Sequence, residues 1–224
     1  MTDPTGGFRN RTSLLLGGDA LTVLAGKTVA IAGCGGVGGA AAILLARAGV
    51  GGFVLADPGR FDPPDANRQW GAFTSTLEEN KARVYERMIL EINPEARVTV
   101  LEEGVQEHTL AAVIEGCDFV VDCLDVSVPT ALRMRMYREA QRAGVYCATA
   151  PIIGLGAAMM VEAPDGLGLE PLVQAFIDAL RGAGRMPAGF ARTYLPPHVE
   201  RIERNLSRGV ASVSIGPAVG GSMV

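Results

Sequence analysis

Apolar and polar positions along this chain change period several times, and the changes mark out its elements. Thr28-Val29-Ala30-Ile31-Ala32 is a short apolar run rich in β-branched residues, the pattern of a strand buried on both faces. Gly33 to Gly39 interrupts it, and the alanine- and leucine-rich Ala40 to Ala48 has the composition of a helix. Gly52 to Ala56 predicts the next strand, which ends on Asp57. From Glu78 to Ile92 apolar residues recur at helical spacing (Ala82, Val84, Tyr85, Met88, Ile89, Ile92) until Asn93-Pro94 stops them. Arg97 to Leu101 reads as a strand, Thr109 to Ile114 as a short helix and Asp118 to Asp122 as another buried strand. Pro129 opens a helix running to Ala143, Gly144 ends it, and Val145 to Ala148 is a further strand. Repeated strand and helix units predict a doubly wound α/β fold with a mostly parallel sheet, whose ligands bind beyond the carboxyl ends of the strands. Asp57 and Asp122 to Asp125 fall at such ends.

Composition narrows the class. A chain of 224 residues, 48% apolar, supports one domain or one domain with an appendage. Its most apolar stretch, Val29 to Ala56, is broken by Arg47 and by glycine clusters, whereas a membrane helix needs roughly 20 unbroken apolar residues. Met1 to Asn10 is polar and has no apolar signal segment, so a cytoplasmic protein is expected. The net charge of −4 gives no electrostatic footprint for nonspecific nucleic-acid binding. Cys34, Cys117, Cys123 and Cys147 make no CxxC pair, so neither a zinc ribbon nor a disulfide scaffold is expected.

The glycine run carries the first chemical signal. Gly33 permits a sharp turn, Gly35 lets backbone N–H groups approach a phosphate, and Gly38 lets the following helix pack closely on the strand. Asp57, 19 positions after Gly38, is placed to accept hydrogen bonds from ribose hydroxyls. The blander alternative, glycines that only tighten a turn, leaves Asp57 unexplained. A nicotinamide dinucleotide would use the same loop, which keeps an NAD-linked oxidoreductase among the readings. Arg68, Gln69 and Lys81, with Arg9 and Arg11 near the N-terminus and the acidic pair Asp122 and Asp125, fit a triphosphate and its Mg²⁺ better. An isolated Arg or Lys is usually a solvated surface charge and an isolated Asp often a cap, so the set carries the reading.

Arg9-Asn10-Arg11, Leu14-Leu15-Leu16-Gly17, Gly33-Cys34-Gly35-Gly36-Val37-Gly38, Asp57, Asn67-Arg68-Gln69, Lys81, Glu91-Ile92-Asn93-Pro94 and Asp122-Cys123-Leu124-Asp125 follow one another in order. This set resembles the E1-like adenylyltransferases, the ThiF/MoeB/HesA superfamily related to ubiquitin-activating enzymes, over about Arg9 to Val161. The resemblance implies a Rossmann-like fold with an N-terminal helical arm (1–25), an ATP-binding adenylation domain (26–164) and a crossover and C-terminal extension (165–224). It implies a homodimer that adenylates a carboxylate with Mg²⁺-ATP. The acceptor would be the C-terminus of a ubiquitin-like sulfur carrier or a peptide; a modified tRNA nucleoside is another carboxylate that relatives activate. By the same resemblance Gly35 and the Gly36 to Gly38 turn hold the phosphates, Asp57 the ribose, Arg68 and Lys81 the triphosphate and Asp125 the Mg²⁺. Arg11 sits at the position of an arginine finger reaching into the partner subunit's site.

The departures are also informative. The second carboxylate of the family's Asp-x-Asp run is Gly59, the Asn three positions before Arg68 is Asp65, the Asn after the Mg²⁺ position is Val126, and a glycine before Lys81 is Glu79. After Cys147 there is no cysteine and only His198 remains as a histidine, so neither structural zinc nor thioester transfer from that region is expected. Cys34 lies at a helix N-terminus, where a thiolate is favoured, though a packing role is the plainer expectation. Leu169 to Leu180 reads as an amphipathic helix, Arg181 to Pro197 as a loop at the substrate path or a plain surface connection, and Gly209 to Val224 as the start of a last helix. The missing carboxylate and cysteine keep open a nonenzymatic, nucleotide-binding partner subunit of an active relative.

Overall fold

A computed structural model describes residues 7–166 apart from 126, 154–155 and 158. The expectations for Val126, Leu169–Leu180, Arg181–Pro197 and Gly209–Val224 therefore lie outside the described residues. Two short helices, α1 (Asn10–Leu16) and α2 (Gly18–Gly26), precede the alternating core. In chain order that core contains β1 (Thr28–Ala32), α3 (Gly36–Ala48), β2 (Gly52–Ala56), α4 (Lys81–Ile92), β3 (Arg97–Leu101) and α5 (Leu110–Ile114). It continues with β4 (Phe119–Asp122), α6 (Thr130–Arg142) and β5 (Tyr146–Thr149). A short hairpin, β6 (Ile152–Ile153) with β7 (Gly156–Ala157), leads into β8 (Met160–Glu162).

The main sheet runs β3-β2-β1-β4-β5-β8, parallel except for antiparallel β8 at one edge. Strand order reverses between β1 and β4, which opens a crevice beyond their carboxyl ends. Apolar residues of the central strands alternate between two cores. Ala30, Ala32, Val54 and Val120 face α5 and α6 with Val113, Met136 and Ala140, whereas Val29, Ile31, Phe53 and Leu55 pack with Ile43, Ala46, Tyr85 and Ile89 of α3 and α4. Burial on both faces is why these strands read as continuous apolar runs.

The boundaries differ from the sequence reading for identifiable reasons. The first α-turn after β1 takes in Gly36, Gly38 and Gly39, and the missing side chains of Gly38 and Gly39 permit contact with the Gly33 backbone and with Tyr85; α3 thus begins at Gly36. Helix α4 begins at Lys81, not Glu78, because Glu78 has φ +66° and Asn80 caps the helix by accepting the Arg83 N–H at 3.1 Å. Asp118 precedes β4 and uses its carboxylate on the Thr28 N–H at 2.8 Å and on Lys27 Nζ at 2.7 Å. No helix among the described residues is long and apolar enough to cross a membrane.

Candidate nucleotide site

Gly33 leaves β1 with φ +94°, and a Cβ there would lie 2.5 Å from the Cys123 carbonyl oxygen. Only glycine fits where the first and fourth strands deliver their loops to one crevice. A Cβ on Gly38 would lie 1.8 Å from the Gly33 carbonyl oxygen, so the loop folds back on the helix that follows it. Helix α3 starts here, and an α-helix leaves its first N–H groups without intrahelical acceptors, pointing out of the N-terminus. Gly35 and Gly36 face the second loop: a Cβ on Gly36 would meet Arg68 Cγ at 3.7 Å, and one on Gly35 would be 4.0 Å from Gln69 Nε2.

Asp57 directly follows β2 and braces the loop. Its Oδ2 accepts the Cys34 N–H at 2.6 Å and its Oδ1 the Gly59 N–H at 2.7 Å. Each carboxylate oxygen keeps a further lone pair. Gly59, where the family carries a second carboxylate, instead presents its backbone: its carbonyl accepts the Lys81 N–H at 2.9 Å. This fixes the first turn of α4 and places Lys81 beside Arg68.

Arg68 and Lys81 meet on Asp65, which is 4% exposed. Lys81 Nζ lies 2.9 Å from Asp65 Oδ2, and Arg68 Nη2 lies 3.3 Å from Asp65 Oδ1. Gln69 Nε2 donates to the same Oδ1. Lys81 Nζ also stands 5.6 Å from the centre of the Phe61 ring, while Arg68 Nη1 donates to the Pro64 carbonyl at 3.0 Å. Burial raises the Asp65 pKa, but the hydrogen bond and charge of Lys81, with bonds from Asp62, outweigh burial and hold the carboxyl below its ordinary 3.8. A depressed carboxylate pKa contributes stability that is present above the unfolded value and lost as pH falls through the folded one. In acid titrations followed by circular dichroism, the native protein and Asp65→Asn are expected to differ most in stability near neutral pH and to converge below 3.8.

Asp125 follows β4 on the other side of the crevice. Its side chain is exposed and Oδ1 accepts the Ser127 N–H at 2.9 Å. The loop is held from behind by Arg133 of α6, whose Nη2 donates to the carbonyls of Leu124 and of Asp125, the latter at 3.0 Å. Arg133 Nε in turn lies 3.2 Å from Asp122 Oδ2, which also accepts from the Tyr137 hydroxyl, and Asp122 Oδ1 accepts the Leu124 N–H at 3.0 Å. Burial raises the Asp122 carboxyl above its ordinary value despite the opposing Arg133 charge and Tyr137 hydroxyl. Leaving a buried carboxylate short of a donor costs about 1–3 kcal/mol, so Tyr137→Phe is expected to lower stability by about that much in chemical denaturation.

The structure thus brings together Gly33, Gly35, Gly36, Gly38, Asp57, Arg68 and Lys81, with Asp125 on the β4 loop of the same crevice. Arg11 stands elsewhere. Arg9, two residues before it, packs against Gly49 past the C-terminus of α3, and a 13-residue helix separates that end from the glycine loop by roughly 20 Å. Cys34 is fully buried, and its thiol is raised well above the ordinary value, chiefly by burial and then by Asp57; it is a packing residue. In the sequence Asp65 reads only as a replaced Asn, and Arg133 and Tyr137 do not stand out. The available signal was helical spacing: Arg133 shares with Met136, Tyr137 and Ala140 the buried face of α6, while Arg135, Arg138 and Arg142 lie on its exposed face.

Comparison with known proteins follows the same outline. A sequence profile described as the ThiF family matches residues 9–178, most of the chain. The chain belongs to the ThiF family. It is 38% identical over 117 residues to the tRNA threonylcarbamoyladenosine dehydratase of Bacillus subtilis, covering 52% of this chain and 46% of that protein. It is 30% identical over 146 residues to the sulfur carrier protein ThiS adenylyltransferase of Escherichia coli, covering 65% and 57%. The crystal structure of the E. coli tRNA N6-threonylcarbamoyladenosine dehydratase in complex with ATP superposes with a TM-score of 0.61 at 25% identity, covering 77% of this chain and 73% of that one. The chain spans about half the length of the curated relatives it matches. Its sheet and helices are those of the Rossmann-type fold seen across this family.

Proposed function

We propose that this ThiF-family chain is an adenylyltransferase that uses Mg²⁺-ATP to activate a carboxylate as an acyl adenylate. The observation that carries the reading is the convergence of Arg68 and Lys81 beside the glycine loop and α3 N-terminus, within a crevice edged by Asp57 and Asp125. Two cations next to backbone amides suit a triphosphate, and a dinucleotide has no need of them. A relative of the same fold is described in complex with ATP, which supports the nucleotide.

In this mechanism the loop amides and the helix end hold phosphate oxygens, and Asp57 orients the ribose. Arg68 and Lys81 neutralise charge as the acceptor carboxylate oxygen bonds to the α-phosphorus and the bond to the β-phosphate oxygen breaks, with the electron pair leaving on pyrophosphate. No general base is required, because the acceptor is ionised at neutral pH. Asp125 suits Mg²⁺: it is exposed on a loop pinned by Arg133, and among the described residues no group of three or more His, Cys, Asp or Glu is arranged to hold a metal alone. A metal bound here would share its sphere with phosphates and water, the habit of Mg²⁺, and would offset the charge of the leaving pyrophosphate.

The names of the relatives support two acceptor classes. One is named for a sulfur carrier protein, which favours the C-terminus of a small ubiquitin-like protein or peptide; another is named for a tRNA nucleoside, a second acceptor of the same chemistry. The reading includes a cytoplasmic homodimer: with Arg11 far from its own loop and Leu14 and Leu15 exposed at 74% and 83%, the arm is suited to act on a second copy. Exchange of labelled pyrophosphate into ATP, with small proteins or peptides ending in Gly-Gly as acceptors, tests the activity. Acceptor-dependent exchange is expected. Binding of Mg²⁺-ATP without exchange for any acceptor class would favour a nonenzymatic partner subunit, a reading motivated by Gly59.

A further inference from the structure

The cations assigned to the triphosphate are not free in this structure: both lie against one buried carboxylate. Asp65 offers Oδ2 to Lys81 at 2.9 Å and Oδ1 to Arg68 at 3.3 Å, with Gln69 Nε2 on Oδ1 as well. The Asp62 N–H also donates to Asp65 Oδ2 at 3.3 Å, and the Asp65 backbone is tied too, its carbonyl accepting the Arg68 and Gln69 N–H groups at 3.0 and 2.9 Å. Gln69 lies beside the glycine loop, where a Cβ on Gly35 would be 4.0 Å from its Nε2, and Gln69 Oε1, in a residue 5% exposed, has no hydrogen-bond partner among the described residues. An Asn at position 65, the residue expected from the resemblance, would offer these donors one acceptor oxygen and no charge.

We infer that Asp65 is a specificity-determining counter-anion: it holds Arg68 and Lys81 in register and yields them to phosphate oxygens, so that polyphosphate binds by exchange of partners rather than by capture of free cations. The inference rests on the nucleotide reading above. Its physical content is a difference in net charge. With Asp65 the three side chains sum to one positive charge, and with Asn they sum to two, so binding of the more highly charged phosphates is weakened most. Pyrophosphate, a product of the proposed reaction, is released more readily from such a clamp. A merely structural Asp65 would change all nucleotides alike.

The experiment is calorimetric titration of the full chain, native and Asp65→Asn, with AMP, ADP, ATP and inorganic pyrophosphate at fixed ionic strength, with melting temperatures recorded in parallel. The expected result is a gain for Asp65→Asn of about tenfold or more for ATP and pyrophosphate, a smaller gain for ADP and little change for AMP, together with a steeper salt dependence of ATP binding. Asp65→Ser, which also removes the charge, is expected to show the same order. Unchanged or weaker ATP binding in folded variants, or an equal gain for AMP and ATP, would overturn the inference. Failure of both variants to fold would do so too, making Asp65 a structural anchor. If neither the native chain nor the variants bind ATP while all remain folded, the nucleotide reading itself fails, a result distinct from the others.

Discussion

Arg68→Ala and Lys81→Ala are each expected to reduce pyrophosphate exchange by about a hundredfold or more, the usual loss when a single preorganised group facing developing charge is removed. The two variants should differ in stability. Lys81 is 14% exposed at its side chain and supplies the shorter of the two contacts to the buried Asp65. Removing it leaves a buried carboxylate with a longer, single cationic partner, a change that costs about 3 kcal/mol where a buried pair is broken. Arg68, at 27%, keeps more water around it and should cost less. The double variant Lys81→Ala/Asp65→Asn is therefore expected to recover most of the melting temperature while exchange stays low. Recovery of exchange in the double variant would mean that Lys81 acts only by neutralising Asp65.

Gly38→Ala is expected to be the most damaging change to the fold near the site. The added Cβ would lie 1.8 Å from the Gly33 carbonyl oxygen and 3.1 Å from Cys123 Cβ, and the nearer neighbour is backbone, which cannot rotate away. Overpacking of this kind costs about 3 kcal/mol or more, and relieving it moves the turn whose amides are proposed to hold the phosphates. Gly36→Ala is the matched control, since its Cβ would meet its nearest atoms at 3.7 Å, an ordinary contact. Thermal unfolding should separate them clearly. Equal losses for both would show that the loop is looser than the Gly33 to Gly38 contact requires.

Much of this arrangement was legible in the sequence because single local rules governed it. The apolar runs at Thr28–Ala32 and Gly52–Ala56 could only be strands buried on both faces, and the glycines between them are required by the approach of Gly33 to Cys123 and of Gly38 to Gly33. Asp57 was readable because a strand end fixes where its carboxylate goes. What escaped the sequence depends on contacts between distant segments. Glu78 has the side chain of a helix former, yet its N–H bond to the Phe61 carbonyl at 2.9 Å holds it at φ +66° and delays α4 until Lys81. Asp65 looked like a lost amide. Only the return of Lys81 from α4, held through Gly59, turns it into the carboxylate shared by both cations. Arg133 was hidden in the same way, because its partners Asp122, Leu124 and Asp125 are joined to it across the β4–α6 connection.

The central claim, that this crevice is built for a triphosphate nucleotide, is tested most directly by calorimetric comparison of ATP and NADH with Mg²⁺ present, on the native chain and on Arg68→Ala. The account predicts binding of ATP to the native chain, at least about tenfold weaker binding to Arg68→Ala, and no binding of NADH to either. Binding of NADH that is indifferent to Arg68, with no binding of ATP, would contradict it.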